Sequence, residues 1–586
     1  MSKPRLDDLL EPWRAAPADG AVLWPSAEEA VSFTRFAGLV AAAGRWLDAE
    51  GVREGDRVAV WLPNRVEWLA LFFAMARAGV TLVAVNTRYR AAEVDYILKA
   101  SGASRLILQT GFKGIDFPGI LDGVDPAGLP DLRAVSVLSG TAEGAGGKAA
   151  ALPGTLLGRP VSRCDLRPVP GEVPPGDVLP GDDLPGDVLP PDVLPPDRDS
   201  DPDAALVFFT TSGTTRSPKL VVHSQATLTL HSQRVAARFG FDRRGAAPRA
   251  GLFAAMPFCG VFGLNAALGA IAGGAALHLC AAFDAADAAA RIARHRLTHV
   301  IGSDEMMARL LEAAGQGEGR DEALVGGRED GVDRVPAALA SLRLCGFASF
   351  TPGLAGQLRA AAAAGLPLRG LYGSSEVNAL FSLQDADLPL DERLKGGGRT
   401  TSADAQVRVV DPQTGAALPV GQAGALEIRA PTSFTGYYRN PEAMADAMTA
   451  DGFFRTGDIG MLRADGSFVY VTRAGDAIRL GGFLVDPAEI EEVLKTLPGV
   501  ADAQVVAVER DGKLRPVAFV TRAAQGGFDE ASVLAAAAER LAAFKRPVRV
   551  FALDAFPVTQ SANGMKVQRA KLRDMAAEML AADPVG

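Results

Sequence analysis

Short apolar runs and amphipathic runs alternate along the first third of the chain, and this limits the fold more than any other feature. Arg57–Leu62 is an apolar strand stopped by Pro63 and Asn64, Trp68–Arg77 is helical, and Gly79–Val85 is a second buried strand. Ala91–Lys99 is again helical, and Arg105–Leu108 is a third strand. An earlier amphipathic helix is expected over Ala27–Glu50, ended by Gly51. Strand, helix and strand at this spacing predict βαβ units and a largely parallel sheet. The pattern resumes at Leu252–Met256, Arg291–His295 and Val300–Gly302. Between them, Val261–Phe283 is long enough to span a bilayer, but it is rich in Ala and Gly and contains Asn265 and His278. It reads as a buried helix, a break at Gly273-Gly274 and a buried strand over Ala275–Cys280.

With 586 residues the chain exceeds an ordinary single domain, so at least two are expected. It carries 60 Lys+Arg against 69 Asp+Glu, a net charge of -9, which argues against non-specific nucleic-acid binding. Cys164, Cys259, Cys280 and Cys345 lack metal-site spacing and suit a reducing compartment. Met1–Arg5 leads into no apolar stretch, so a soluble cytoplasmic protein without stable membrane insertion is expected.

Two segments break the pattern. From about 166 to 203 a five-residue repeat (Gly176-Asp-Val-Leu-Pro180 and its successors) places Pro at every fifth position. Regular helix and sheet pairing are both blocked there, and a flexible acidic insertion is expected. Gly315–Asp333 reads as a loop. Near residue 475 the texture changes again. A charged helix (Pro487–Lys495), a strand (Asp502–Val508), a turn at Asp511-Gly512, a strand (Leu514–Val520) and a helix through Ala531–Phe544 predict a small α+β domain.

Chemistry concentrates in Phe208-Phe-Thr-Thr-Ser-Gly-Thr-Thr-Arg-Ser-Pro-Lys219. An apolar strand (Ala205–Phe209) enters a loop of small hydroxyl residues. Gly213 allows close backbone approach to an anion. Thr210, Thr211, Ser212, Thr214 and Thr215 supply hydroxyls, successive N–H groups in such turns make anion-binding concavities, and Lys219 adds a point charge. The Gly-Lys-Ser/Thr ending of the Walker pattern is absent.

This loop resembles the signature of the adenylate-forming superfamily: acyl-CoA synthetases, peptide-synthetase adenylation domains and beetle luciferases. Its usual form is Thr-Ser-Gly-Thr-Thr-Gly-x-Pro-Lys-Gly, in which Arg216 and Leu220 replace two glycines here. Other segments match in order. Tyr372-Gly-Ser-Ser-Glu376 is similar to Tyr-Gly-x-Thr-Glu, Gly452–Asp458 to Gly-Trp-x-x-Thr-Gly-Asp, and Arg473–Glu491 to the hinge segment. Pro557–Arg569 resembles Pro-x-Thr-x-x-Gly-Lys-x-x-Arg, with Met565 inserted between Gly564 and Lys566. Gly51–Val60, Leu62–Asn64 and Arg77–Asn86 are family-like in texture, so the resemblance covers nearly the whole chain outside the two irregular segments.

The resemblance implies an α/β large domain over 1–474 and a small mobile domain over 475–586, turning about Gly475. It implies an acid–thiol ligase using ATP, Mg²⁺ and coenzyme A: an acid forms an acyl-adenylate, and coenzyme A then displaces AMP. Carried over by position, Thr211, Ser212, Gly213, Thr214, Thr215 and Lys219 hold phosphates, and Thr214 and Glu376 hold Mg²⁺. Tyr372, Gly373, Ser374, Gly346, Phe347 and Ala348 lie beside the nucleotide. Ser375 touches the α-phosphate, Asp458 accepts the ribose hydroxyls, and Arg473 contacts ribose or phosphate. Lys566 is the catalytic lysine, with Lys571 a lesser candidate. Gly481 and Gly482 lie by the pantetheine path.

Cys259, Gly260 and Phe347 are expected at the acyl pocket. Gly260 falls where many members have His, and Phe347 adds apolar surface. A fatty acid is favoured, then an aryl or alicyclic acid. Three further readings stand beside this one: loading of a separate carrier protein, luciferase-like oxygenation, and a catalytically impaired nucleotide-binding homologue. The expected partner is a small carboxylic acid, with a homodimer among the expected assemblies and no nucleic acid.

Overall fold

A computed structural model describes residues 3–15, 21–138, 153–166, 200–211, 218–242, 249–316, 335–349, 354–474, 478–480, 483–485, 487–510, 513–523, 527–541, 545–561 and 564–582. Among these residues, the large domain is built on two sheets. One has nine strands, with Arg57–Trp61 at its centre between Thr81–Ala84 and Arg105–Leu108. Both pairings are parallel, with Val60 opposite Ala84 on one side and Ile107 on the other. Thr81–Ala84 and Arg105–Leu108 are buried at every position, which explains their unbroken apolar texture: parallel strands covered on both faces have no solvent side to mark by alternation. The helix Val66–Arg77 is buried along almost its whole length.

The second sheet has thirteen strands among the described residues. Its parallel part runs Leu368–Tyr372, Leu344–Ala348, His299–Ser303, Gly251–Ala254, Ala276–Leu279 and Ala21–Trp24. From Ser382–Leu383 onward every pairing on that side is antiparallel, through Gly397–Thr400, Phe468–Arg473, Phe454–Leu462, Ala423–Arg429 and Gln406–Val410. The expected parallel sheet therefore holds for one half only. Beyond Glu376 the strands pair antiparallel, but few are joined by a tight turn: the helix Leu390–Arg393 lies between Ser382–Leu383 and Gly397–Thr400, and the helix Pro441–Ala447 between Ala423–Arg429 and Phe454–Leu462.

The membrane-length segment folds as read, into the helix Val261–Ala272 and the strand Ala276–Leu279. Among the described residues no helix is long and apolar enough to cross a membrane. The helix expected over Ala27–Glu50 begins only at Phe33. Val31–Ser32 pairs with Ala21–Trp24, and the Ser32 hydroxyl caps the helix by accepting the Arg35 N–H. The helix Asp304–Gln316 runs two residues into the stretch expected as a loop, whose residues 317–334 lie outside the described set. Most of the acidic repeat, 167–199, also lies outside it, but both flanks are packed. Leu166 is buried in the main core, and the buried Ser200 donates to the Ala76 carbonyl and accepts from Gln225.

The C-terminal part is α+β, as expected. Val500–Arg510 pairs antiparallel with Lys513–Arg522, which runs parallel to Arg549–Leu553. The charged helix spans Pro487–Lys495. The next helix ends at Arg540 rather than continuing to Phe544, because Leu541 turns extended. The turn at Asp511-Gly512 lies outside the described residues.

Candidate active site

The strand Ala205–Thr210 pairs antiparallel with Leu220–Ser224, Thr210 opposite Leu220. The loop they bound is clasped at its ends: the Thr211 N–H donates to the Lys219 carbonyl (3.0 Å), and the Lys219 N–H donates to Thr211 Oγ1 (3.1 Å). Ser212, Gly213, Thr214 and Thr215 lie outside the described residues. Tyr89 shares a hydrogen bond with Thr210 (2.9 Å), and Tyr96 donates to the Pro218 carbonyl (2.5 Å). The Lys219 ammonium sits over the ring of Tyr437, 4.6 Å from its centroid.

Tyr372 closes the strand Leu368–Tyr372 and is buried. Its hydroxyl donates to Asp458 Oδ2 (2.5 Å), and its ring meets Phe468 edge-on and Tyr470 at a tilt. Burial and the Asp458 charge push that hydroxyl well above its ordinary pKa. Burial likewise raises Asp458, although Arg473, 3.0 Å from Oδ1, opposes it. Three residues expected around adenine and ribose thus meet, with Tyr372 and Asp458 buried and Arg473 on the exposed side.

The next turn is tightly determined. The buried Ser374 hydroxyl has no partner among the described residues, and the Ser375 carbonyl faces His223 Nε2 at 2.7 Å. Glu376 accepts the Tyr437 hydroxyl on Oε1 (2.9 Å), and its carbonyl accepts the Phe434 N–H (2.7 Å). Asn378, Ala379 and Leu380 then follow with φ of 64°, 45° and 30°, a left-handed run that side chains disfavour. It is held by the Ala379 N–H on the Ser374 carbonyl, the Asn378 amide on the Thr432 carbonyl and Thr401 Oγ1 on the Leu380 carbonyl.

On the acyl side, Cys259 is buried and Gly260 is the N-cap of the helix Val261–Ala272. Asn64 fixes the preceding turn, donating to the Met256 carbonyl (2.9 Å) and accepting the Phe258 N–H (2.7 Å). Burial raises the Cys259 thiol to about 12, which leaves it neutral. Cys259 and Ala348 pack in one core with Leu371, and a Cβ on Gly346 would point at Leu371 and Ile301. Phe347 does not join them. Its side chain takes the other face of the strand Leu344–Ala348, buried with Leu358 and Leu368 against the helices. Consecutive strand residues face opposite ways, so Gly346 and Ala348 lie on the other face of the strand from Phe347. Phe347, expected at the acyl pocket, thus lies in a different core cluster from Cys259.

Gly475, Gly481 and Gly482 lie outside the described residues, as does the side chain of Lys566. The Lys566 backbone is in the strand Gly564–Val567, opposite Thr559, and the inserted Met565 is in backbone register with Gln560. Lys571 is exposed on the helix Arg569–Ala582. Arg569 pairs with the fully buried Glu491 (2.8 Å) and donates to the Val505 carbonyl, which makes it an anchor for the small domain.

A magnesium-bound nucleotide fits these groups. Oε2 of Glu376 has no protein partner among the described residues, which leaves a hard carboxylate oxygen for Mg²⁺. The orphaned Ser374 hydroxyl is a second group in want of a polar ligand. Sequence reading missed Tyr437, Tyr89, His223 and Asn64 as site supports. Tyr437 had a signal: the chain has only 6 Tyr, and two adjoin at 437 and 438 behind Gly436.

The sequence profile described as AMP-binding enzyme matches residues 11–438, and that of the AMP-binding enzyme C-terminal domain matches 489–563. The chain belongs to the AMP-binding enzyme family. It is 31% identical over 548 residues, 92% of this chain and 93% of the relative, to a propanoyl:CoA ligase of Mycobacterium tuberculosis whose acyl group bears a methylated dioxo-octahydroindenyl ring. It is 27% identical to the 2-succinylbenzoate–CoA ligase of Geobacillus kaustophilus, over 89% of each chain. The solved structure of ATP-bound MatB from Rhodopseudomonas palustris shares the fold, with a TM-score of 0.73 at 23% identity, covering 98% of this chain and 100% of that one. This AMP-binding enzyme is an AMP-forming acid–thiol ligase with a large and a small domain, and ATP, Mg²⁺ and coenzyme A are the set such ligases use.

Proposed function

We propose that the enzyme activates an apolar carboxylic acid with ATP and passes the acyl group to coenzyme A. The observation that carries this is the convergence of Lys219, Glu376, Tyr372, Asp458 and Arg473, drawn from four separate segments, around one half-buried turn. Lys219 and the hydroxyl loop hold the phosphates, and Asp458 orients the ribose. Glu376 holds Mg²⁺, which when bound spreads the charge of the phosphate oxygens. A substrate carboxylate oxygen attacks the α-phosphorus, its bond forms as the bond to the bridging oxygen breaks, and pyrophosphate leaves. The coenzyme A sulfur, having given up its proton, then attacks the acyl carbonyl and AMP leaves. Positioning and charge neutralisation supply the acceleration. Lys566 acts in the first step, brought in by a small domain that begins at 475 and turns there. Gly481 and Gly482 border the path of the thiol.

The acid is apolar because Met256–Leu268, the segment around Cys259 and Gly260, contains no acidic residue to meet an α-ammonium group. A fatty acid suits that surface. A ring-bearing acid is the second reading, favoured by the relatives named for octahydroindenyl and succinylbenzoate substrates. The four cysteines are buried and unpaired, which supports a reducing, cytoplasmic setting.

The test is pyrophosphate exchange with a panel of fatty, aryl, alicyclic and amino acids, followed by addition of coenzyme A. Exchange with apolar acids and thioester formation are expected. Exchange confined to amino acids, or adenylate that free coenzyme A does not consume, would overturn the reading.

A further inference from the structure

The stretch Phe434–Tyr438 touches both halves of the phosphate machinery. The Phe434 N–H bonds the Glu376 carbonyl, the Thr435 N–H bonds the Val222 carbonyl (2.8 Å) and the Tyr438 N–H bonds the Leu220 carbonyl (2.9 Å). In register, Tyr437 lies opposite Val221 on the strand that leaves the phosphate loop. Its side chain then meets the two charges of opposite sign: the Lys219 ammonium over the ring, and the Glu376 carboxylate on the hydroxyl. Tyr437 is itself buried, and its hydroxyl donates to Glu376 Oε1 at 2.9 Å. Lys219 and Glu376, each within reach of one aromatic ring, form no ion pair with each other or with any other described residue.

We infer that Tyr437 is a positioning residue that keeps Lys219 and Glu376 apart, so that the ammonium stays available to phosphate and the carboxylate to a cation. Two opposite charges that flank one side chain would, without it between them, be drawn into a direct pair and cancel. The ring holds the ammonium by its quadrupole, a weaker grip than a carboxylate, and an incoming phosphate displaces it easily. The hydroxyl fixes the carboxylate through one oxygen and leaves the other open. The inference rests on the proposed roles of Lys219 and Glu376, but its central claim is about the two charges and needs no metal.

The experiment is calorimetric titration of ATP into the full chain in EDTA, without metal, with melting temperatures recorded alongside. Tyr437→Leu removes the spacer, so ATP should bind about tenfold more weakly, the scale of an interaction with a charged group. Adding Glu376→Gln to Tyr437→Leu removes the competing carboxylate and should return the affinity to that of Glu376→Gln alone. Tyr437→Phe keeps the ring and should keep the wild-type affinity, and it provides the test if the leucine variant does not fold. Wild-type affinity in Tyr437→Leu, failure of Glu376→Gln to restore it, or equal loss in Tyr437→Phe would each overturn the inference. Failure of the underlying reading looks different. Wild-type protein that binds no ATP removes the nucleotide site, and an unchanged Mg²⁺ requirement for exchange in Glu376→Gln removes the metal role while leaving the metal-free titration intact.

Discussion

A methyl group at position 373 would stand 2.5 Å from the Ala379 Cα and 2.6 Å from its carbonyl carbon. Those atoms are backbone, in a run already held at positive φ, so no rotamer change relieves the contact. Gly373→Ala should therefore cost about 1–3 kcal/mol by overpacking and displace Ser374–Glu376 with it. A lowered melting temperature together with lost pyrophosphate exchange is the expected result; an unchanged melting temperature would show that the turn yields. Glu376→Gln probes charge at constant shape. The amide oxygen can still accept the Tyr437 hydroxyl, whereas the negative charge proposed to hold Mg²⁺ is gone. Adenylate formation should fall roughly a hundredfold, the scale of one lost electrostatic contact at a reacting phosphate. Added Mg²⁺ should restore part of it, and nucleotide binding should suffer less. Wild-type turnover would remove Glu376 from the metal.

The strand Leu220–Ser224 and the helix Gln225–Phe239 place two fully buried imidazoles, His223 and His231, behind the Ser375 turn. Burial lowers their pKa from 6.5 to about 4 and about 3, so both are neutral in the folded enzyme. Below pH 6.5 the unfolded chain takes up protons that the folded chain refuses, so stability rises with pH there. It is fully present above 6.5 and is lost as pH falls towards 4, by about 3 kcal/mol per imidazole. Urea midpoints measured between pH 7 and 4.5 should drop steadily, and His231→Asn should flatten the slope; an equal slope in the variant would show that His231 does not carry it. Legibility at this scale followed burial. Arg105–Leu108, Pro487–Lys495 and Val261–Ala272 were readable because one long apolar or amphipathic run maps onto one element. The start at Phe33 was not, because a two-residue strand and a serine cap leave too short a trace. The antiparallel half of the large sheet was unread for a related reason: pairing partners such as Gly398 and Phe468 are far apart in sequence, and nothing local encodes the match. In the site, motif residues were found by order along the chain, whereas Tyr437 and His223 act by proximity, which order does not reveal. The packing of Phe347 away from Cys259 was not legible because spacing names a strand position without naming its face.

At the scale of the whole molecule, the small domain carries its own core. Ile490, Leu494, Val505 and Val520 pack on one side of its sheet, and Phe519 with Leu572 on the other. The Arg569–Glu491 pair ties the end of the hinge segment to the C-terminal signature inside that domain, three residues after Lys566. A body with a closed core can turn as a unit without exposing apolar surface. If it turns at Gly475 between the half-reactions, Lys566 is needed in only one of them. Lys566→Ala leaves the charge shared by carboxylate and α-phosphate uncompensated, which costs about 3 kcal/mol or more, a factor of at least roughly a hundred in adenylate formation. Thioester formation from synthetic acyl-adenylate and coenzyme A should be spared. The measurement compares both rates in Lys566→Ala and Lys571→Ala. Only the true catalytic lysine should split them, and since Lys571 stands exposed on a helix, its variant should keep both. Equal slowing of the two half-reactions in Lys566→Ala would mean that Lys566 has been given the wrong role.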